Sequence, residues 1–287
     1  MRLVVISGFS GSGKSVALHA LEDLGYYCID NIPAGLLNSL IDHAIERGDS
    51  VFENIAVGLD ARNRPDDIDQ VPELIQQLRA QGITCDLLFL QADDEVLMSR
   101  FSETRRKHPL SVQGMGLRDA IAKERELLGT MINAADLLID TTNTSAHALR
   151  ERIRQRVGER EPHELSILIE SFGYKHGLPA DADFVFDVRC LPNPYWDLKL
   201  RNLCGKDEPV KNFLAKEPEV AKMIDDIAEF LHTWIVKYQD FQRSYLTIAI
   251  GCTGGQHRSV YIADQLAAKL ADSYGPIQTV HHELPAE

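Results

Sequence analysis

Three observations predict that this chain is α/β throughout and built as two domains. Short apolar runs alternate with helix-period segments through the first half. Each half carries one Gly-rich turn, at 8–15 and at 251–259, placed after an apolar run and before a helical pattern. Between them "VGEREPHE" (157–164), charged and containing Gly and Pro, breaks the periodicity. The expected domains are therefore 1–157 and 164–287, and 287 residues leave room for two separate cores.

Taken in order, the first domain should contain strands at Leu3–Ser7, Tyr26–Ile29, Ile55–Leu59, Leu87–Leu90 and Leu137–Ile139. Helical patterns lie between or after them, at about 14–24, 34–47, 70–81, 94–102, 117–133 and 145–157. Strands separated by helices require crossovers, so the sheet should be parallel with helices on both faces. In the second domain Leu165–Ile169, Phe184–Val188 and Leu246–Ile250 read as strands, and 219–238 and 259–272 as helices. Residues 190–210, with three prolines and one glycine, should be mostly loop.

Composition narrows the function classes. Apolar content of 44% and charged content of 25% are those of a globular protein. No segment approaches the roughly 18 apolar residues of a membrane span. The start "MRLVVISG" has one basic residue, a short apolar run and no small-residue cleavage site, and reads as the first strand of a cytoplasmic protein. Five scattered cysteines (28, 85, 190, 204, 252) suggest neither a disulfide framework nor a zinc site. A formal charge of −13 argues against the whole chain being a nucleic-acid binder, while leaving room for a local basic patch.

"GFSGSGKS" fits the pattern G-x-x-x-x-G-K-[ST], directly after a strand and before a helix. In Gly8, Phe9, Ser10, Gly11, Ser12, Gly13, Lys14 and Ser15 the glycines let backbone N–H groups turn toward phosphates. Lys14 supplies a point charge, and Ser15 is positioned to ligate Mg²⁺. The first domain is thus expected to be a P-loop nucleotide-binding unit of the kinase-like kind. Asp60, in "GLDARN", is favoured to help place the metal, and Asp93 competes for that role. Asp30 could orient an acceptor hydroxyl, as in small-molecule kinases; capping is the alternative for each aspartate. "SRFSETRRKHPL" gathers Arg100, Arg105, Arg106 and Lys107, which suggests a basic lid that closes over phosphates. A solvated helix end would carry cations there as well.

"GCTGGQHRS" repeats the strand–Gly-loop–helix arrangement, so Thr253, Gly254, Gly255, His257 and Arg258 are candidate phosphate contacts. Cys252 and Arg258 stand in the C-x₅-R spacing of cysteine phosphatases. Three readings remain open: a phosphatase with Cys252 as nucleophile, a sensor that binds a phosphorylated ligand without covalent chemistry, or a plain glycine turn over a buried cysteine. No residue stands out as the general acid a phosphatase requires. Adjacent glycines at 254–255 favour binding. Lys175, His176 and Tyr195 are further pocket candidates, within a polar region that also holds Ser171, Asp187 and Arg189.

"SGFSGSGKSVALHALEDLGYYCIDNIP", "LDARN", "RFSETRRKHPLS", "ESFGYKHGLPADADFVFDVRCLPNPYWD" and "RSYLTIAIGCTGGQHRSVYIADQLA" together resemble the RapZ family, also called YvcJ-type nucleotide-binding proteins. The resemblance covers nearly the whole chain in the same order. It implies a cytoplasmic protein, assembled as a homo-oligomer, that binds and hydrolyses ATP and GTP. Gly8–Ser15 would be the ATP loop, and Asp60, Ala61, Arg62 and Asn63 a guanine-nucleotide element. Enteric members also act as RNase adapters that bind small regulatory RNA and sense glucosamine-6-phosphate through the C-terminal domain. There Thr253, Gly254 and Arg258 match phosphate-contacting positions. Two departures stand out. Tyr195 replaces a histidine of the enteric pocket, and no Lys or Arg follows Lys269 where enteric members carry a basic RNA-binding tail. Loss of that tail should weaken RNA binding and flatten its salt dependence.

The sequence reading is therefore a slow, regulatory P-loop ATPase and GTPase. Lys14 would stabilise transferring charge, Ser15 and Asp60 would place Mg²⁺, and Arg105 or Arg106 would close from the lid. The C-terminal loop would bind a phosphorylated ligand. An RNA-binding adapter and a small-molecule kinase are the alternatives.

Overall fold

A computed structural model describes residues 1–104, 106–111, 115–158, 165–241 and 243–285. The chain divides into two compact units, Met1–His163 and Glu164–Glu287.

In the first unit β1 (Arg2–Gly8), β2 (Tyr27–Ile29), β3 (Asn54–Gly58), β4 (Thr84–Gln91) and β5 (Leu137–Asp140) form a parallel sheet in the order 2-3-1-4-5. Every residue of β1 is buried, as expected of a central strand covered on both faces. Leu3 and Val5, on one face of the strand, join Phe9, Phe89 and the inner faces of the flanking helices in one core. The chain leaving β1 runs to β2 on one side of the sheet, whereas the chain leaving β3 crosses to β4 on the other, so a crevice opens at the carboxyl ends of β1 and β3, where such sheets place ligands.

The helices are α1 (Lys14–Asp23), α2 (Leu37–Arg47), α3 (Pro65–Ala80), α4 (Asp94–Thr104), α5 (Leu117–Leu127), α6 (Gly129–Ala134) and α7 (Ala146–Ile153). Two depart from the sequence reading. Helix α3 starts at Pro65 rather than 70, because Pro at the first position and Asp66 and Asp67 in the first turn make a good start that apolar spacing does not register. The single helix expected at 117–133 is two, parted at Leu128. The expected lid residue Arg105 lies outside the described residues, as does most of the 157–164 linker.

In the second unit β6 (Ser166–Gly173), β7 (Phe184–Asp187), β8 (Tyr245–Cys252) and β9 (Gln278–His281) form a parallel sheet in the order 7-8-6-9. It packs with α8 (Glu208–Ala215), α9 (Pro218–Asp240) and α10 (Arg258–Tyr274). Strand β6 runs four residues past the expected Ile169, because Glu170 and Ser171 are buried within it and partnered by His282 and His281. Helix α8 and strand β9 were not anticipated. Both are short, and "QTVH" has too few apolar residues to stand out.

Candidate functional site

The loop after β1 is shaped by backbone contacts. Gly8 has φ +148°, and a Cβ there would collide with the backbone of Leu90 in β4, its nitrogen being 2.9 Å away. Ser12 N–H closes the turn on Phe9 O at 3.0 Å. Helix α1 then begins with Gly13 as its N-cap and no side chain capping its first-turn amides. Val16 N–H turns back to Gly13 O at 2.9 Å, and the Lys14 and Ser15 amides ahead of it are placed to meet an anion at the positive end of the helix. Lys14 folds back over the loop, donating from Nζ to Gly8 O at 2.7 Å and Phe9 O at 3.2 Å. Burial depresses its pKa, against the opposing pull of Glu124, Asp60 and Asp30. Ser15 is exposed on the first turn, and the buried Ser12 hydroxyl has no partner among the described residues.

Side chains brace the loop from outside. Arg100, expected among the lid cations, instead joins the loop to the end of β5. It donates to Gly11 O at 3.0 Å and to Thr141 O at 2.6 Å. Arg125 lies over the buried Phe9 ring at 4.2 Å and donates to Asp94 and Ala92 O. Arg106 and Lys107 are exposed and make no ion pair among the described residues.

Asp60 is buried just beyond β3. Burial works to raise its pKa, but hydrogen bonds from the Arg62 side chain and amide, with Lys14 beyond, bring it below the usual carboxylate range. Both of its oxygens accept from the Arg62 guanidinium. Asn63 uses Oδ1 to accept from Ala34 N–H at 2.6 Å and Nδ2 to donate to Asp60 O at 3.2 Å. The side chains expected to recognise guanine are thus engaged with each other and with the chain at 34. The segment also lies within electrostatic reach of Lys14, at the phosphate end of the crevice. Oxygen donors from Ser15 and Asp60 suit a hard cation such as Mg²⁺. With both carboxylate oxygens on Arg62, Asp60 fits a role exerted through water rather than by direct ligation.

In the second unit Gly255 has φ +73°, and a Cβ there would lie 2.7 Å from Gly173 N and against Glu283 Cγ. Thr253 is exposed, and Lys175 N–H donates to Thr253 O at 3.3 Å. Arg258 is buried; its Nη1 donates to Arg189 O at 2.8 Å and Leu191 O at 2.9 Å. Its Nε is buried with no partner among the described residues, and Nη2 has only a long 3.5 Å contact to Thr253 Oγ1. Nε and Nη2 form the edge that grips an oxyanion with two bonds. His257 departs from its expected phosphate role. Its Nε2 lies 3.2 Å from Leu200 O, and the buried ring braces the 200 loop, with burial pushing its pKa down.

Cys252 is buried. Burial works to raise its pKa, but the Ser259 hydroxyl and amide, Gly255 N–H and Arg258 outweigh it and hold the thiol below its ordinary value. Gly255 N–H donates to Sγ at 3.2 Å, and Ser259 Oγ is 3.1 Å away. Among the other expected residues, His176 pairs with Glu283 at 3.1 Å. Tyr195 is exposed under the Arg201 guanidinium at 4.7 Å. Asp187 gives both oxygens to Arg189, which holds its pKa low.

Sequence reasoning missed the partners that come from far along the chain. Glu124 reaches Ser10, and Thr141 reaches Ser12 O at 2.9 Å. The segment at 281–283 brings His281 to Ser171, His282 to Glu170 and Glu283 to His176. The "HHE" triplet was the available signal: such polarity in one place predicts partners without naming them.

Comparison with known proteins follows the same division. Residues 1–161 match the RapZ-like N-terminal domain, and residues 165–285 the RapZ C-terminal domain. A nucleotide-binding protein of Alkalilimnicola ehrlichii is 52% identical over 99% of this chain and 98% of its own length. One from Stutzerimonas stutzeri is 49% identical over 99% of this chain and all of its own. Among solved structures, a shikimate kinase from Bacteroides thetaiotaomicron aligns with 53% of this chain and 96% of its own, at 17% identity and a TM-score of 0.32, too weak a likeness to support argument. Two family matches in chain order and full-length identity near one half have one explanation: the chain belongs to the RapZ family.

Proposed function

We propose that the protein binds nucleoside triphosphates at Gly8–Ser15 and hydrolyses ATP and GTP slowly at that single site, while Thr253–Arg258 bind a phosphorylated ligand. The observation that carries the first part is the Gly8–Ser15 turn itself. An uncapped helix start and a lysine folded onto two loop carbonyls form a cradle for a polyphosphate. The relatives' name, nucleotide-binding protein, supports it. On binding, Lys14 would exchange Gly8 O and Phe9 O for phosphate oxygens. Its depressed pKa reflects the desolvation that strengthens such a contact. Ser15 and, through water, Asp60 would hold Mg²⁺, which when bound neutralises phosphate charge. Arg62 keeps Asp60 ionised. ATP and GTP would share the loop, since Asp60–Asn63 is committed to the phosphate end.

For the second loop, the unpartnered Nε of Arg258 supports an anion ligand, because a buried donor without an acceptor costs free energy that a phosphate would recover. Binding without covalent chemistry is favoured over the phosphatase reading, since Cys252 is buried with its Sγ held by Gly255 N–H and beside Ser259 Oγ. Arg258 is equally unsuited to RNA, being buried and bonded to two carbonyls.

One experiment tests the hydrolysis reading. Phosphate release from ATP and from GTP is followed with each nucleotide as competitor for the other. Mutual competition with stoichiometric free phosphate is expected. A phosphorylated metabolite in place of free phosphate would instead establish the kinase reading.

A further inference from the structure

The most enclosed polar cluster of the first unit lies beside the loop rather than in it. Glu124 of α5 is fully buried and accepts three hydrogen bonds. Oε2 accepts from Ser10 N–H at 2.8 Å and faces His108 Nε2 at 3.1 Å, while Oε1 accepts from the Ser10 hydroxyl at 2.7 Å. The histidine tautomer follows from the network. Nδ1 of His108 accepts from Leu110 N–H at 3.1 Å, so the ring proton sits on Nε2 and points at the carboxylate. His108, also buried, packs against Phe101 with ring centroids 5.1 Å apart and planes tilted by 49°, and Phe101 stands next to Gly11 of the loop. One carboxylate thus binds the nucleotide loop on one side and the basic segment Arg106–Lys107–His108 on the other.

A carboxylate buried this completely is retained only when its lone pairs are satisfied, and here all three donors come from two segments far apart in sequence, at Ser10 and at His108. Ser10 spends both its N–H and its hydroxyl on Glu124, which fixes the loop's outer turn before any phosphate arrives. His108 is fixed by the same atoms, next to the exposed cations Arg106 and Lys107.

We propose that Glu124 is a positioning residue that couples the basic segment to the nucleotide loop, so that loop geometry and placement of Arg106 and Lys107 are set together. The inference rests on the nucleotide reading of Gly8–Ser15. Glu124 need not touch substrate; it acts through Ser10 and His108.

The test separates hydrogen bonding from charge. In Glu124→Gln the amide oxygen can replace Oε2, accepting from Ser10 N–H and His108, while the NH₂ donates to the Ser10 hydroxyl turned acceptor. The clasp survives without its charge. In Glu124→Ala it is lost. Steady-state hydrolysis of ATP by the full chain should show Glu124→Gln within about threefold of wild type in both kcat and KM. Glu124→Ala should raise KM at least tenfold, about 1.4 kcal/mol. Equal collapse of kcat in both variants would make Glu124 a catalytic base and overturn the proposal, as would an unchanged KM in Glu124→Ala.

Ser10→Ala and His108→Ala provide a second measurement should Glu124→Ala fail to fold. Ser10 and His108 meet through Glu124, so their effects on KM should be non-additive by at least threefold, and independent effects overturn the coupling. Wild-type protein that neither hydrolyses nor binds ATP would sink the nucleotide reading and this inference with it. Wild-type activity with indifferent Glu124 variants would sink this inference alone.

Discussion

Gly254 and Gly255 are adjacent, yet alanine should cost stability at only one of them. At Gly255, φ is +73°, a region costing an L-residue about 1–2 kcal/mol. An added Cβ would also stand 2.7 Å from Gly173 N and 3.0 Å from Phe172 C, backbone atoms that cannot rotate away. Overpacking of that kind costs about 1–3 kcal/mol, giving a total loss of about 2–5 kcal/mol. At Gly254, a Cβ meets nothing within 4 Å, and the backbone is not in the positive-φ region. Alanine there should be neutral or stabilise by about 0.4–1 kcal/mol, through the entropy of the unfolded chain. Trp196 and Trp234 are the chain's two tryptophans, and both lie in the second unit, so urea unfolding followed by tryptophan fluorescence reports on it. With a urea slope near 2 kcal/mol/M, Gly255→Ala should lower the midpoint by about 1–2.5 M while Gly254→Ala leaves or raises it. Equal midpoints for the two variants would refute the account of why β6 and the loop after β8 fit so closely.

The remaining expectations concern single side chains. Lys14→Ala should abolish hydrolysis of ATP and GTP together; survival of either in a phosphate-release assay would break the one-site reading. Arg258→Lys should weaken inorganic phosphate binding at least tenfold by calorimetry, since an ammonium cannot hold Arg189 O and Leu191 O and also present a two-point edge. The depressed pKa of Cys252 makes stability depend on pH. Its contribution is fully present above the ordinary value of 9.0 and is lost as pH falls through the lower folded-state value. The wild-type advantage over Cys252→Ser in urea midpoint should therefore grow as pH rises through that window, and a constant difference would refute a stabilised thiolate. Structured RNA titrated at two salt concentrations should bind weakly with a shallow salt slope; a steep slope would restore the adapter reading.

Legible in the sequence alone were the five strands and parallel sense of the first sheet, three of the four strands of the second, and the Gly8–Ser15 turn between a strand and a helix. These depend on local regularities: apolar runs long enough to be central strands, and glycines at fixed spacing between a strand and a helix. Even the departures are local, such as the start of α3 at Pro65 and the Leu128 break. Tertiary structure decided what each polar side chain does. Arg100 and Arg258 both read as free cations for phosphate, yet Arg100 braces Gly11 and Thr141, and Arg258 spends Nη1 on two carbonyls, its Nε having no partner among the described residues. Asn63 reads as a base-recognising residue and is held by Ala34 N–H. Glu124, which holds Ser10 from 114 residues away, has no motif around it to single it out. The reason is physical: apolar burial is set by the spacing of neighbours along the chain, whereas a hydrogen bond needs one particular atom within about 3 Å, and that atom is most often supplied by a segment distant in sequence.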